Sequence, residues 1–114
     1  MNNGGTFDIK PPSDPTNLTG VAIKSYGKWR IVLNWSASTD NYDGTTGSGV
    51  QYYFIYRNDI YLNKVSGSTL TFIDTGVAKR STYTYYVTAV DYENNSSDQI
   101  PGWTPNRITV ITGS

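Results

Sequence analysis

The chain contains neither cysteine nor histidine. Without cysteine it can form no disulfide and no thiolate metal site, so the sequence does not indicate a redox compartment. Without histidine it lacks the usual base of Ser-His-Asp and Cys-His nucleophilic sites and the commonest zinc ligand. We therefore predict that the chain is not an enzyme and has no catalytic residue, no metal ligand and no cofactor.

An excess of one charge and a long apolar run are also missing. The chain has 9 Lys and Arg against 9 Asp and Glu, so no overall field attracts nucleic acid or an anionic membrane. No apolar run approaches the roughly 20 residues of a membrane span. The first residues also lack the basic and apolar regions of a secretory signal. We expect no nucleic-acid partner and no membrane insertion; a signal was either removed with a larger parent or never present.

Aromatic and β-branched residues are plentiful. The 114 residues include 10 tyrosines and 3 tryptophans, and together with many Thr and Val they favour strands over helices. A chain of this length suits one domain that buries enough surface to fold alone. The composition predicts a single all-β domain.

Two segments, 30–36 and 81–91, alternate with the period of a half-buried strand. Large rings such as Trp35 and Tyr83 remove roughly 150–250 Å² each from water and would fill the centre of a two-sheet sandwich without disulfides. The residues of the predicted inward faces are Ile31, Leu33 and Trp35 in the first segment, and Tyr83, Tyr85, Val87 and Ala89 in the second.

Stretches of strand-forming residues between turn residues predict five more strands, for a β-sandwich of seven. These are 17–23, 50–57, 60–64, 70–73 and 107–112. Segments 36–49 and 92–106 are predicted as long loops because Asp, Asn, Ser, Gly and Pro dominate them. Residues 1–12 are predicted as an extended leader or docking arm, and 13–114 as the domain.

The order of five short motifs resembles a fibronectin type III domain. They are PxxL from Pro15, IxLxW from Ile31, YxIYRND from Tyr53, FxDTGV from Phe72 and YxYxVxAVD from Tyr83. The sequences of these motifs are most similar to those of the modules found between domains of bacterial secreted proteins, and the match covers about 12–112.

The resemblance implies a seven-stranded immunoglobulin-like sandwich of two antiparallel sheets. In it, Trp35 would be the core tryptophan of the second strand. Tyr83 would be the tyrosine of the corner that precedes its strand. The chain departs from the family pattern in its two longer loops, the second of which carries Trp103. The fold alone does not specify what such loops bind.

The first candidate site is an aromatic surface. In this topology Phe54 and Tyr56 stand beside Tyr86 on the outer side of one sheet, where a flat apolar patch would suit a protein or a glycan. The alternative is that the cross-strand pairs only stabilise the sheet, at roughly 0.2–1 kcal/mol each, or that the Trp103 loop covers them. The candidate partner-binding residues are Phe54, Tyr56, Tyr86, Tyr92 and Trp103.

Charged residues suggest two further candidates. Asp40, Asp43, Asp91, Glu93 and Asp98 lie on the two loops, where carboxylates within reach of one another could bind Ca²⁺. EF-hand spacing is absent, and solvated turns are the favoured interpretation. Cations are predicted toward the opposite end, so copies in series would set a basic end on an acidic one; a screened, solvated surface is the alternative. The cations are Lys24, Lys28, Arg30, Arg57, Lys79 and Arg80.

Two functional hypotheses remain. The first is a non-catalytic structural or adhesion module of an extracellular or particle-surface assembly, such as a bacteriophage structural or decoration protein. Its partners would be proteins or further copies of itself, and its leader 1–12 would be ordered against a neighbour. The alternative is an accessory spacer or glycan-contacting module of a secreted bacterial polysaccharide-degrading enzyme. In that case Tyr56, Tyr86, Tyr92 and Trp103 would stack on sugar rings.

Overall fold

The computed structural model describes residues 10–42, 45–46 and 49–114. The strands are β1 Thr16–Ser25, β2 Lys28–Ser36, β3 Asn41–Tyr42, β4 Thr45–Thr46, β5 Val50–Arg57, β6 Ile60–Ser66, β7 Thr71–Asp74, β8 Thr82–Asp91 and β9 Ile108–Ile111. A 3₁₀ turn covers Ser97–Gln99. Within the described residues, no helix has the length and apolar character needed to cross a bilayer.

The strands form a two-layer sandwich. One sheet has the order β1-β2-β7 and the other the order β6-β5-β8-β9, and every pairing is antiparallel. The predicted all-β class, with seven strands in two sheets, is confirmed. The segment 36–49, predicted as a loop, also contains the small β3–β4 hairpin. Strands of two residues are too short to show an alternating pattern in a sequence.

The core lies between the sheets and follows the predicted alternation. Trp35 is 5% exposed, and its ring meets that of Tyr53 edge to face at 5.5 Å. One detail differs from the prediction: Tyr83 is only half-buried, and the fully buried rings are Tyr53 and Tyr85. Tyr83 lies next to the first residue of β8, where its hydroxyl accepts a hydrogen bond from Ala78 N at 2.8 Å. This bond to upstream backbone fits the corner role that the resemblance implied.

A buried carboxylate ties the two sheets together behind this corner. Asp74 is 3% exposed, and its two oxygens each lie 3.0 Å from Arg57 Nη1. The Tyr85 hydroxyl donates to Asp74 Oδ2 at 2.6 Å, and the Gly76 amide donates to Oδ1 at 3.1 Å. Desolvation, reinforced by Asp74, raises the pKa of Tyr85, so the phenol keeps the proton that it donates.

Gly67 lies where two backbone segments approach closely. A Cβ at this position would stand 2.0 Å from the carbonyl oxygen of Val50. Since backbone cannot move aside as a side chain can, we expect Gly67→Ala to lower the free energy of unfolding by about 2 kcal/mol. Urea denaturation should measure it. Gly76→Ala is the control, because its added Cβ meets atoms no closer than 3.4 Å; equal losses in both variants would contradict the prediction.

Candidate functional site

The outer side of the four-stranded sheet carries a cluster of aromatic rings. Tyr56 and Tyr86 are cross-strand partners, and their rings stack with centroids 4.5 Å apart and planes 7° from parallel. Tyr61, on the edge strand β6, lies 6.0 Å from Tyr56 and 5.5 Å from Phe54 in edge-to-face contacts. We call this cluster the aromatic face; its members are Tyr52, Phe54, Tyr56, Tyr61, Tyr86 and Trp103.

The second long loop closes one side of the aromatic face. It folds back along β8, so that Trp103 meets the Tyr86 ring edge to face at 5.8 Å. The Trp103 indole donates to Asp14 Oδ2 at 2.6 Å, which fastens the loop to the segment before β1. Arg107 lies over the Tyr86 ring at 5.8 Å and bonds Asp59 at 2.8 Å. β9 pairs only with the first residues of β8, Thr82–Tyr85. Beyond them, this loop contributes Trp103 to the aromatic face.

The stacking determines what the aromatic face can offer to a partner. The rings of Tyr56 and Tyr86 are 4.5 Å apart and nearly parallel, so each covers one face of the other. Burial raises the pKa of both phenols. This geometry agrees with the alternative of a sheet-stabilising pair. Within the aromatic face, Tyr61 is the residue most exposed to solvent, at 49%.

The structure joins four of the five predicted partner-binding residues and separates the fifth. Phe54, Tyr56, Tyr86 and Trp103 belong to the aromatic face, and their role in partner binding stays a prediction. Tyr92, 62% exposed, lies six residues beyond Tyr86, about 20 Å along the chain, beside Gly49. Sequence reasoning missed Tyr61, although its place opposite Tyr56 follows from the two-residue turn at 58–59 that joins β5 to β6.

The acidic loop residues serve mainly to hold the loops. Asp91 is fully buried and accepts hydrogen bonds from the backbone amides of Glu93 and Asn95 at 2.9 and 2.8 Å. Asp40 is 7% exposed and accepts from Gly49 N at 2.7 Å. The carboxylates of Asp40 and Asp91 are therefore buried rather than solvated as predicted. Among the described residues, no group of acidic side chains could hold a metal ion, and the predicted ligand Asp43 lies outside them.

The segment before β1 is anchored on both long loops. Ser13 N donates to the Thr39 carbonyl at 2.8 Å, and Thr39 N donates to Ser13 Oγ at 2.9 Å. Pro12, which the predicted boundary places at the end of the leader, is fully buried. Residues 1–9 lie outside the described part of the chain, so the docking arm stays a prediction.

Asp14 gives this anchor a pH dependence. Desolvation raises the pKa of its carboxyl above 3.8, outweighing the hydrogen bonds from Ser97 and Trp103. The folded state therefore binds more protons than the unfolded chain in the window above 3.8, so this contribution to stability falls as pH rises through the folded pKa. We expect Asp14→Asn, which cannot ionise, to gain stability relative to the wild type between about pH 3 and pH 7.

Urea denaturation of both proteins across this pH range is the measurement. Other carboxylates titrate in the wild type and in the variant alike, so the difference between the two curves isolates Asp14. A variant that loses stability relative to the wild type as pH rises would show that the hydrogen bonds, not desolvation, dominate.

Comparison with solved structures identifies the fold as that of a fibronectin type III domain. The chain matches the central fibronectin-III array of RIM-binding protein with a TM-score of 0.59 and 17% identity, covering 91% of this chain and 36% of that one. It matches the protein titled FN3tt mut with a TM-score of 0.57 and 19% identity, covering 91% and 97%. No protein-family model matches the sequence.

Comparison with curated proteins finds similarity to segments of much longer chains. Chitinase Chi52 of Paenibacillus xylanexedens is 38% identical over 92 residues, which are 81% of this chain and 16% of that protein. Exoglucanase B of Cellulomonas fimi is 34% identical over 92 residues, 81% of this chain and 8% of that protein. Amylopullulanase of Thermoanaerobacterium saccharolyticum is 30% identical, covering 90% and 9%. These relatives agree with the second functional hypothesis and give no support to a bacteriophage particle protein.

Proposed function

We propose that this chain is a non-catalytic accessory module of an extracellular bacterial enzyme that degrades a polysaccharide. The observation that carries the proposal is the restricted similarity to a chitinase, an exoglucanase and an amylopullulanase, over 8–16% of their lengths. A segment shared by enzymes with different names does not determine which reaction each one performs. It fits a role that such enzymes have in common.

The chemistry of the chain supports a non-catalytic role. Paired carboxylates could serve a glycosidase, but the buried ones have structural hydrogen bonds. Asp40 holds the first loop, Asp91 holds the second, and Asp74 joins the two sheets. Nucleophilic catalysis assisted by histidine or cysteine is unavailable to a chain that has neither residue.

The positions of the first and last described segments favour a spacer. Ser13 bonds Thr39 at the end of the sandwich that carries the long loops. Gly113 bonds Arg80 at the opposite end, and Ser114 bonds Lys24 there. The 10 residues of β1 join these two ends, a rise of about 33 Å. A module of this shape would hold its neighbours in a longer chain about 30 Å apart.

The reading frame that encodes this sequence in its source genome tests the proposal. We expect the same frame to encode the catalytic domain of a polysaccharide-degrading enzyme, and we expect the purified chain to release no reducing sugar from chitin, cellulose or starch. Capsid or tail genes around it would overturn the proposal. Hydrolysis by the purified chain would overturn its non-catalytic part.

Glycan contact is a second candidate function, and the exposure of Tyr61 favours it. Tyr61 is 49% exposed at the margin of the aromatic face, and the adjacent Ile60 is 71% exposed. If this margin contacts a neutral glycan, Tyr61→Ala should weaken binding about fivefold, measured by affinity electrophoresis in gels containing soluble chitin or glucan derivatives. Ile73→Ala, at an equally exposed side chain on the three-stranded sheet, is the control. Equal mobility of wild type and Tyr61→Ala in every gel would exclude this site.

A further inference from the structure

A groove surrounds Trp29 at the end of the sandwich opposite the long loops. Two clefts, of about 280 and 370 Å³, share the side chains of Lys28, Trp29 and Thr75 as walls. Both adjoin the β1–β2 turn, and together they form what we call the Trp29 groove. The residues of the groove that bear on its chemistry are Tyr26, Lys28, Trp29, Arg30, Thr75 and Lys79.

The charges of the Trp29 groove are not neutralised. Lys28, Arg30 and Lys79 line it, and none of them forms an ion pair with a described residue. Asp74 is next to Thr75 in the chain, but its oxygens accept from Arg57, Tyr85 and Gly76. Three cations therefore face one groove in a chain whose net charge is zero, a concentration of charge that attracts an anion.

An aromatic ring stands at the tip of the groove. Tyr26 is fully exposed, and its φ of 51° is followed by a φ of 77° at Gly27. Two central residues with positive φ form the tight hairpin turn in which Asn or Gly normally takes the first position. A bulky residue is strained there, and since its ring packs on nothing, the fold gains no packing from it. A strained, exposed ring at a fixed position is suited to contact with a ligand.

The Trp29 side chain forms a wall that both clefts of the groove share. Its ring packs near Gly113, where an added Cβ would lie 3.2 Å away. Its indole nitrogen is buried and has no hydrogen-bond partner among the described atoms. Buried donors are normally paired, but Trp35 in the core has the same unpaired nitrogen. What Trp29 contributes to the groove is therefore the surface of its ring.

We propose that the Trp29 groove binds an acidic polysaccharide, a chain of sugars that carry carboxylates. The carboxylates would lie on Lys28, Arg30 and Lys79, while the Tyr26 ring would contact the apolar face of a sugar. A nucleic acid fits less well. Its binding depends on many cations that neutralise successive phosphates, and this groove offers three on a chain of zero net charge. This inference rests on the proposed function, since it names the polymer that an accessory module of such an enzyme would hold.

Isothermal titration of the purified chain with polygalacturonate tests the inference. We expect binding at about 20 mM salt that weakens at about 300 mM, because exposed ionic contacts are screened. The double variant Lys28→Gln/Lys79→Gln should bind about tenfold more weakly, and Tyr26→Ala should also bind more weakly. Lys10→Gln/Lys64→Gln removes the same charge far from the groove and should bind within about twofold of the wild type. Thermal melting checks that all variants are folded.

Four results would overturn the inference. The first is that the wild type does not bind polygalacturonate, and the second is that the groove and control variants lose the same affinity. The third is that neutral hydroxyethyl cellulose binds as tightly as polygalacturonate. The fourth is that polyglutamate does so, which would indicate an acidic protein partner. A reading frame without a polysaccharide-degrading enzyme would instead overturn the proposed function. That result leaves the titration unchanged, so the two failures can be told apart.

Discussion

Replacing Tyr53 by alanine should lower the free energy of unfolding by about 4 kcal/mol, because removing a fully buried ring leaves a cavity that the sandwich cannot close. Tyr53 is 0% exposed and packs against Trp35 between the sheets. For a domain of this size the melting temperature should fall by roughly 15 °C. Urea and thermal denaturation, followed by tyrosine and tryptophan fluorescence, would measure both quantities.

Two variants separate the ring of Tyr53 from its hydroxyl. Tyr53→Phe keeps the ring but leaves Ser38 N without its acceptor at 2.8 Å, and should lower stability by only about 1 kcal/mol. Tyr26→Ala removes the same kind of ring from a fully exposed turn, and should change stability by less than about 0.5 kcal/mol. If Tyr53→Ala and Tyr53→Phe were equally stable, the ring would not be the main contribution of Tyr53 to the core.

The buried faces of the strands could be predicted because alternation is a local property. A side chain two residues along a strand points the same way whatever the rest of the fold does. The parity of 30–36 and 81–91 therefore assigned Trp35 and Tyr85 to the core correctly. How deeply a residue lies along its strand is not a local property. Tyr83, the second residue of β8, was therefore wrongly expected at the centre of the core and is only half-buried.

The details of the aromatic face could not be predicted, because they depend on contacts between distant parts of the chain. Trp103 meets Tyr86 in a loop that is fastened by a hydrogen bond from its indole to Asp14, 89 residues earlier in the chain. The upright stacking of Tyr56 on Tyr86 depends on side-chain rotamers that no sequence pattern specifies. The parity of β5 and β8 predicted which rings share a face, but not which ring surfaces remain open to a partner.

The acidic residues show the same limit for charge. A carboxylate in a polar loop is usually solvated, and on that basis Asp40 and Asp91 were expected at the surface. Both are buried, and backbone amides of their own loops donate hydrogen bonds to them. Composition predicts that such a segment forms a turn. Whether its carboxylate is buried depends on the path of the backbone around it.

Among the acidic residues, Asp74 is the one whose burial should matter most for stability. Its three neighbours, the Arg57 guanidinium, the Tyr85 hydroxyl and the Gly76 amide, all donate hydrogen bonds to it. A carboxylate accepts at both oxygens, whereas the amide of Asp74→Asn would set its NH₂ group against a donor. We expect this variant to lower the free energy of unfolding by about 3 kcal/mol, at the low end for a buried pair because the Arg57 side chain is 28% exposed.

Asp59→Asn makes the same chemical change in an exposed ion pair. Asp59 lies 2.8 Å from Arg107, with the two side chains 57% and 47% exposed, so water replaces the lost contact and the expected loss is below about 1 kcal/mol. Urea denaturation of the two variants at one pH compares them directly. Equal losses would show that Asp74 acts as an ordinary surface charge. A loss confined to Asp74→Asn would show that the buried carboxylate stabilises the sandwich by accepting hydrogen bonds from Arg57, Tyr85 and Gly76.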